Sequence, residues 1–146
     1  MKSMAIFLFL ILGFLVLPFL FAPVFGADAN SRIQTDRDLL LQAIMLVESG
    51  GNARAVGDGG KSRGAYQIQE AYWKDSRYKE PYLPNVWNKS KSREVVILYC
   101  TRYAGKSATN EAWARSHNGG PKGPSKKATL KYWEKVKAKM EELLQK

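Results

Sequence analysis

Residues 46–69 read LVESGGNARAVGDGGKSRGAYQIQ and carry two isolated acidic side chains, Glu48 and Asp58. Glu48 ends an almost wholly apolar run, whereas Asp58 follows ten residues later among glycines. The apolar run predicts a central helix that the glycine pair after Glu48 terminates. The glycine-rich segment beyond it predicts a hairpin or small sheet over residues 53–69. The stretch therefore predicts a helix joined directly to a small β element.

The position of Glu48 favours a protonated carboxyl group. Ile44 and Met45 lie one helical turn earlier, so the Glu48 side chain lies over apolar atoms. Glu48 is also at the carboxyl end of the predicted helix, where the helix dipole disfavours an anion. Both effects favour the neutral form, which a general acid needs to protonate a leaving oxygen. A glutamate that simply enters solvent where the helix ends fits this segment equally well.

Asp58 is expected to have the opposite environment. A carboxylate among small residues stays hydrated and ionised, so it complements a protonated Glu48. Two carboxyl groups in contrasting environments cleave glycosidic bonds, one donating a proton and the other attacking or stabilising the sugar cation. Taken alone, however, an Asp-Gly pair is more often a turn.

Two further short segments are candidates for sugar binding. If residues 66–68 form a strand, Tyr66 and Ile68 point to one side and Gln67 to the other, which offers rings and an amide to a sugar. Ordinary packing is the alternative. The second segment begins at the single histidine of the chain and comprises His117, Asn118, Gly119 and Gly120. A capped helix end is its alternative, and because one histidine cannot form a zinc site, we expect no metal or other cofactor.

The remaining pattern predicts a mainly α domain. Helices are expected to begin near Thr35, Ser92, Thr109 and Thr129. A short helix is predicted within residues 69–78, and a surface connection over residues 80–91 because it contains two prolines and no helical period. The single cysteine, Cys100, cannot form an intrachain disulfide, and its apolar neighbours predict a small buried hydrophobe.

The amino terminus predicts export. Residues 4–26 contain no charged side chain and follow Lys2, which is typical of a signal peptide. The run is also close to the length of about 20 apolar residues that spans a bilayer, so an amino-terminal membrane anchor is the alternative. Pro18 and Pro23 argue against one straight helix and favour a cleaved signal. In both cases residues 27–146 are expected to form one extracytoplasmic domain.

The formal net charge of +10 predicts a polyanionic partner. Export favours an anionic membrane or an anionic cell-wall polymer over nucleic acid. Solubility alone is the alternative explanation of the charge. The sequence has no sign of oligomerisation, so we expect a monomer.

Five segments together resemble the invertebrate-type (destabilase) lysozyme family: VESGG at 47–51, SRGAYQIQEAYWKD at 62–75, YCTRY at 99–103, WARSHNGGPKG at 113–123, and YW at 132–133. The resemblance implies an α+β, mainly α, lysozyme-like fold with a small antiparallel β element beside the cleft. It also implies cleavage of the β-1,4 bond between N-acetylmuramic acid and N-acetylglucosamine in the glycan strands of peptidoglycan.

The resemblance also assigns roles to the residues already singled out. Glu48 matches the family's proton donor, and Asp58 matches its second carboxylate, in a loop that is a residue or two shorter. Residues 64–68 and 117–120 match segments that flank the cleft. The family is rich in disulfides, whereas this chain has one cysteine, so packing must replace the bridges.

Two other functions fit the same residues. A lytic transglycosylase needs only Glu48 and closes the sugar on itself. A cationic protein that binds the cell wall without cleaving it needs neither carboxyl group.

Overall fold

The computed structural model describes the backbone of residues 27–145 and the side chains from residue 35 onward. The helices and strands in chain order are α1 (Ala27–Ser49), β1 (Val56–Gly57), β2 (Ser62–Arg63), α2 (Glu70–Asp75), α3 (Tyr82–Asn85), α4 (Lys89–Tyr103), α5 (Asn110–Gly119) and α6 (Leu130–Leu144). The expected signal or anchor over residues 1–26 lies outside the described residues. Within residues 27–145, no helix combines the length and the apolar character needed to cross a membrane.

Helix α1 is the centre of the fold, as its apolar pattern predicts. Leu40, Leu41 and Ile44 have no solvent exposure, and α6 packs along the helix. The predicted start at Thr35 was wrong, because α1 already begins at Ala27. Asp36 and Asp38, whose charges favour the first turn of a helix that starts at Thr35, have tertiary partners instead. Asp36 accepts a 2.7 Å hydrogen bond from Asn110 Nδ2, and Asp38 forms an ion pair with Arg93.

The predicted β element is present and short. Strands β1 and β2 are antiparallel, with Val56 opposite Arg63 and Gly57 opposite Ser62. A 3₁₀ turn over Asp58–Gly60 joins the two strands. Residues 64–67 form a turn, and only Ile68 returns to pair with β2. The predicted strand alternation at residues 66–68 was therefore wrong.

One close backbone approach positions this β element beside α1. Gly64 has a φ of +77°, and a Cβ at this position would lie 2.2 Å from the carbonyl oxygen of Val86. On the other side, Ser49 at the end of α1 donates a 2.7 Å hydrogen bond to the carbonyl of Ala65. The turn after β2 is thus held between α1 and the segment before α4.

The segment over residues 80–91 is less superficial than its sequence predicts. It contains α3, and Val86 is completely buried. Ser92 donates a 2.8 Å hydrogen bond to the Val86 carbonyl, which ties the segment to α4. Pro81 precedes α3 and Pro84 lies within it, and the buried side chain of Val86 anchors the connection in the core.

The later helices begin close to their predicted positions. Thr109 caps α5 by accepting a 3.2 Å hydrogen bond from Ala112 N, as its residue type predicts. Helix α4 starts three residues earlier than predicted, because Asn88 supplies its cap. Cys100 on α4 is completely buried, which confirms its interpretation as a core residue.

Candidate active site

A cleft of about 390 Å³ lies between the β element and helices α2 and α5. Both carboxyl groups predicted from the sequence line it. The cleft is lined by Glu48, Asp58, Ser62, Gln67, Gln69, Ala71, Tyr72, Asp75, Tyr99, His117, Asn118 and Gly120. Four distant segments of the sequence therefore meet at a single surface.

Glu48 is held firmly at the carboxyl end of α1. Its side chain is 19% exposed, so it opens to the cleft while remaining largely covered. Tyr132 Oη donates a 2.7 Å hydrogen bond to Glu48 Oε1, and His117 Nε2 lies 3.4 Å from the same oxygen. Burial, followed by the neighbouring Glu48 carboxyl, raises the pKa of Tyr132 well above its usual value. Tyr132 therefore remains a hydrogen-bond donor at neutral pH.

Asp58 is exposed, and two neighbouring side chains orient its carboxylate. Ser62 Oγ donates a 2.5 Å hydrogen bond to Asp58 Oδ2, and Gln69 Nε2 lies 3.4 Å from that oxygen. Asp58 has a φ of +50°, a conformation that aspartate tolerates better than most residues. The β1–β2 connection thus presents a hydrated carboxylate, in contrast to the covered carboxyl of Glu48.

His117 connects Glu48 to the protein interior. Its side chain is only 4% exposed, and its Nδ1 lies 3.0 Å from Tyr72 Oη. The Tyr72 ring stacks on Tyr99 with centroids 3.6 Å apart. Burial, followed by the nearby Cys100, raises the pKa of Tyr72 well above its usual value, so this phenol also stays protonated.

The predicted sugar-binding residues divide into two groups. Gln67, His117, Asn118 and Gly120 line the cleft. The remaining three, Tyr66, Ile68 and Gly119, do not. Tyr66 and Ile68 are 3% and 1% exposed and belong to the hydrophobic core, because the turn at 64–67 directs them inward. A Cβ at Gly119 would lie 2.5 Å from Thr129 Cγ2, so this residue faces the segment before α6.

Several lining or supporting residues were not predicted from the sequence. They are Ser62, Gln69, Tyr72, Asp75, Tyr99 and Tyr132. Tyr72 and Tyr99 lie in helices α2 and α4 beside apolar or aromatic residues, where a tyrosine normally indicates packing. The short distance from Asp58 to Ser62 along a tight turn was the one available local signal. No local sequence signal indicated the contact between Tyr132 and Glu48.

The charge of the cleft differs from that of the whole protein. No lysine or arginine is among the side chains that line it, although the chain has a net charge of +10. Residues 122–139, here called the basic segment, contain seven lysines and one glutamate. Across residues 27–145, no three His, Cys, Asp or Glu side chains form a group that could hold a metal ion.

Comparison with known sequences gives one consistent result. A protein-family model described as Destabilase matches residues 38–139. A lysozyme of Meretrix lusoria is 36% identical over 104 residues, which cover 66% of this chain and 84% of that protein. A lysozyme of Magallana gigas is 40% identical over 79 residues, or 51% of this chain, and the match spans only 58% of that protein's length.

Comparison with solved structures agrees. The crystal structure of the lysozyme of Tapes japonica superposes with a TM-score of 0.60 at 33% identity, covering 67% of this chain and 85% of that one. Inhibitor-bound lysozyme of Meretrix lusoria gives the same TM-score and coverage at 36% identity. The mainly α fold with a small antiparallel sheet is therefore shared with these structures.

Proposed function

Because the chain belongs to the Destabilase family, we propose that it is a muramidase that hydrolyses the β-1,4 bond between N-acetylmuramic acid and N-acetylglucosamine in peptidoglycan. The meeting of Glu48 and Asp58 at one cleft is the observation that carries this proposal. Their environments differ in the way that glycoside hydrolysis requires, one covered and one hydrated. The relatives named lysozyme support the same reaction class.

In the proposed reaction, Glu48 is the general acid. It transfers its proton to the glycosidic oxygen while the bond from that oxygen to sugar C1 breaks, so the leaving sugar departs as an alcohol. Asp58 then acts in one of two ways. It bonds to C1, and water later displaces it with the ionised Glu48 taking the water proton; or it takes the proton of a water that attacks C1 directly. Either route forms one new hydroxyl group at C1.

The other side chains of the cleft suit an uncharged glycan strand. Gln67 and Asn118 provide amide groups for sugar hydroxyl and N-acetyl groups. The Gln67 amide is fixed, because Nε2 donates a 3.0 Å hydrogen bond to the Gly64 carbonyl. A Cβ at Gly57 would lie 2.3 Å from Gln67 Oε1, so glycine at residue 57 leaves room for this amide.

The basic segment gives the proposed enzyme a second means of contact with its substrate. Its lysines lie on the solvent side of α6 and on the turns before it, outside the cleft. We propose that residues 1–26 direct export, and that the basic segment of the exported monomer binds the anionic polymers of a cell wall. The catalytic cleft and the electrostatic contact are then separate surfaces.

The central test is the Glu48→Gln variant on purified peptidoglycan. Loss of a general acid is expected to lower the rate of muropeptide release by about 10²- to 10⁴-fold. The matched control is Glu141→Gln, which removes an exposed carboxyl group from α6 outside the basic segment and should leave the rate unchanged. Near-normal release by the Glu48 variant would refute the assignment.

Mass spectrometry of the products identifies the reaction. Reducing ends support the muramidase, whereas 1,6-anhydro ends would identify a lytic transglycosylase. Binding to peptidoglycan without release of soluble muropeptides would identify a non-catalytic wall-binding protein. The anomeric configuration of the first product, measured by proton NMR, separates the retaining from the inverting route.

A further inference from the structure

Glu48 Oε1 lies between two groups that come from different helices. Tyr132 Oη on α6 donates to it at 2.7 Å, and His117 Nε2 on α5 lies 3.4 Å away. Within the part of the chain that the structure describes, Glu48 Oε2 has no hydrogen-bond partner. The two oxygens of the same carboxyl group are therefore in unequal environments.

His117 is held beside Glu48 Oε1 from the interior of the protein. Its side chain is 4% exposed, and its Nδ1 lies 3.0 Å from Tyr72 Oη. Tyr72 Oη in turn lies 3.9 Å from Cys100 Sγ, which donates to the Trp113 carbonyl at 3.5 Å. The donor that the geometry fixes at Oε1 is therefore the Tyr132 hydroxyl.

We propose that Tyr132 is a positioning residue that reserves Glu48 Oε1 as an acceptor, so that the catalytic proton is carried by Oε2. This inference rests on the proposed muramidase function. A proton on Oε1 would compete with the hydrogen donated by Tyr132, whereas a proton on Oε2 meets no such conflict. The carboxyl group is thereby fixed with its acidic oxygen directed away from the protein and towards the glycosidic oxygen.

The first test is Tyr132→Phe, which keeps the ring and removes only the hydroxyl group. We expect kcat to fall by about tenfold to a hundredfold with KM changed less than twofold, because a misplaced catalytic group costs rate rather than affinity. Tyr78→Phe is the matched control, since Tyr78 Oη contacts Glu80 outside the cleft. Its kcat and KM should not change.

A second measurement needs no substrate. The carboxyl carbon of Glu48 is observed by NMR in the native protein and in Tyr132→Phe at the same pH. Loss of the hydrogen donated to Oε1 should change the chemical shift of this carbon, whereas Tyr78→Phe should leave it unchanged.

Tyr72→Phe supplies a second variant that does not alter α6. It removes the hydroxyl group that lies 3.0 Å from His117 Nδ1, so it should lower kcat in the same direction but to a smaller extent. An unchanged kcat in Tyr132→Phe, or an unchanged chemical shift of the Glu48 carboxyl carbon, would overturn the proposal. An additional loss of the same size when Tyr132→Phe is added to Glu48→Gln would also overturn it, because the tyrosine would then act independently of Glu48. Full activity of Glu48→Gln alone would instead refute the proposed function.

Discussion

Ser62 Oγ donates a 2.5 Å hydrogen bond to Asp58 Oδ2, so a buried strand residue orients an exposed carboxylate. Gln69 Nε2 lies 3.4 Å from both the Ser62 hydroxyl and that carboxylate oxygen. Among the described residues, the second oxygen of Asp58 has no hydrogen-bond partner, and Asp58 lines the cleft. The Ser62 and Gln69 side chains thus hold the Asp58 carboxylate in one orientation beside the cleft, which a simple turn residue would not require.

Asp58→Asn is expected to lower muropeptide release by about 10²- to 10⁴-fold, because the amide can neither attack C1 nor accept a proton from water. Ser62→Ala should lower it by about tenfold to a hundredfold, since one hydrogen bond to a charged group contributes about 1.5–3 kcal/mol. Release is measured as soluble muropeptide, with exposed Ser107→Ala as the control. Full activity of Asp58→Asn together with 1,6-anhydro products would instead identify the transglycosylase.

Gly64→Ala is expected to destabilise the fold by more than about 2 kcal/mol. The substitution combines a left-handed backbone, at a φ of +77°, with a contact of 2.2 Å to the Val86 carbonyl. Gly59→Ala is the matched control, because its φ is +64° and no atom lies within 4 Å of the added carbon. It should cost about 1 kcal/mol. The free energy of unfolding of both variants is measured with urea. Equal decreases would show that the contact with the Val86 carbonyl does not add to the destabilisation.

Four substitutions to glutamine in the basic segment should weaken binding to cell-wall material by at least about tenfold, because each lysine near an anionic surface contributes up to about 1 kcal/mol. The variant combines Lys122, Lys127, Lys131 and Lys135, all of which are exposed. Binding is measured by co-sedimentation at increasing salt, which should also reduce native binding.

The control for this variant lowers the net charge by the same amount through substitutions outside the basic segment. It replaces four exposed lysines outside the basic segment with glutamine, Lys74, Lys79, Lys89 and Lys106. If binding depends on the basic segment, this control should retain most of it. Equal losses in the two variants would show that total charge, and not its location, determines binding.

Alkaline pH should destabilise the protein through Cys100. Burial raises the pKa of this thiol from 9.0 to about 12, while the hydrogen bond with Tyr72 opposes the shift. Above pH 9 the unfolded chain loses this proton and the folded chain keeps it, so stability is present at lower pH and is lost as pH rises towards 12. One such group contributes a slope of up to about 1.4 kcal/mol per pH unit. Cys100→Ala should show a shallower slope in urea unfolding between pH 9 and 11; an identical slope would contradict this account.

Features with a local cause were predictable from the sequence. The position of Glu48 followed from an apolar helix that ends at a glycine pair, and the cap at Thr109 followed from its side chain. The four-glycine segment required tight turns, and the structure has a two-stranded element there. In each case the determining residues lie within one or two turns of the chain.

Features that depend on distant partners were not predictable in this way. The charges of Asp36 and Asp38 indicate a helix start, but Asn110 and Arg93 pair with them from other helices, so α1 extends to Ala27. The amphipathic pattern of α6 predicts which face is buried. It does not indicate that the Tyr132 hydroxyl on that face meets a carboxyl group, because the two residues are 84 positions apart.

The same separation has a consequence for the order of events during synthesis. Contacts between α1 and α6 close a loop that includes nearly all of the described chain. Closing so long a loop costs chain entropy before the contacts stabilise the fold, so these contacts form late. A ribosome-bound chain that has not yet released residue 132 holds Glu48 without its hydroxyl donor. The hydroxyl donor therefore reaches Glu48 only after α6 has been synthesised and has packed against α1.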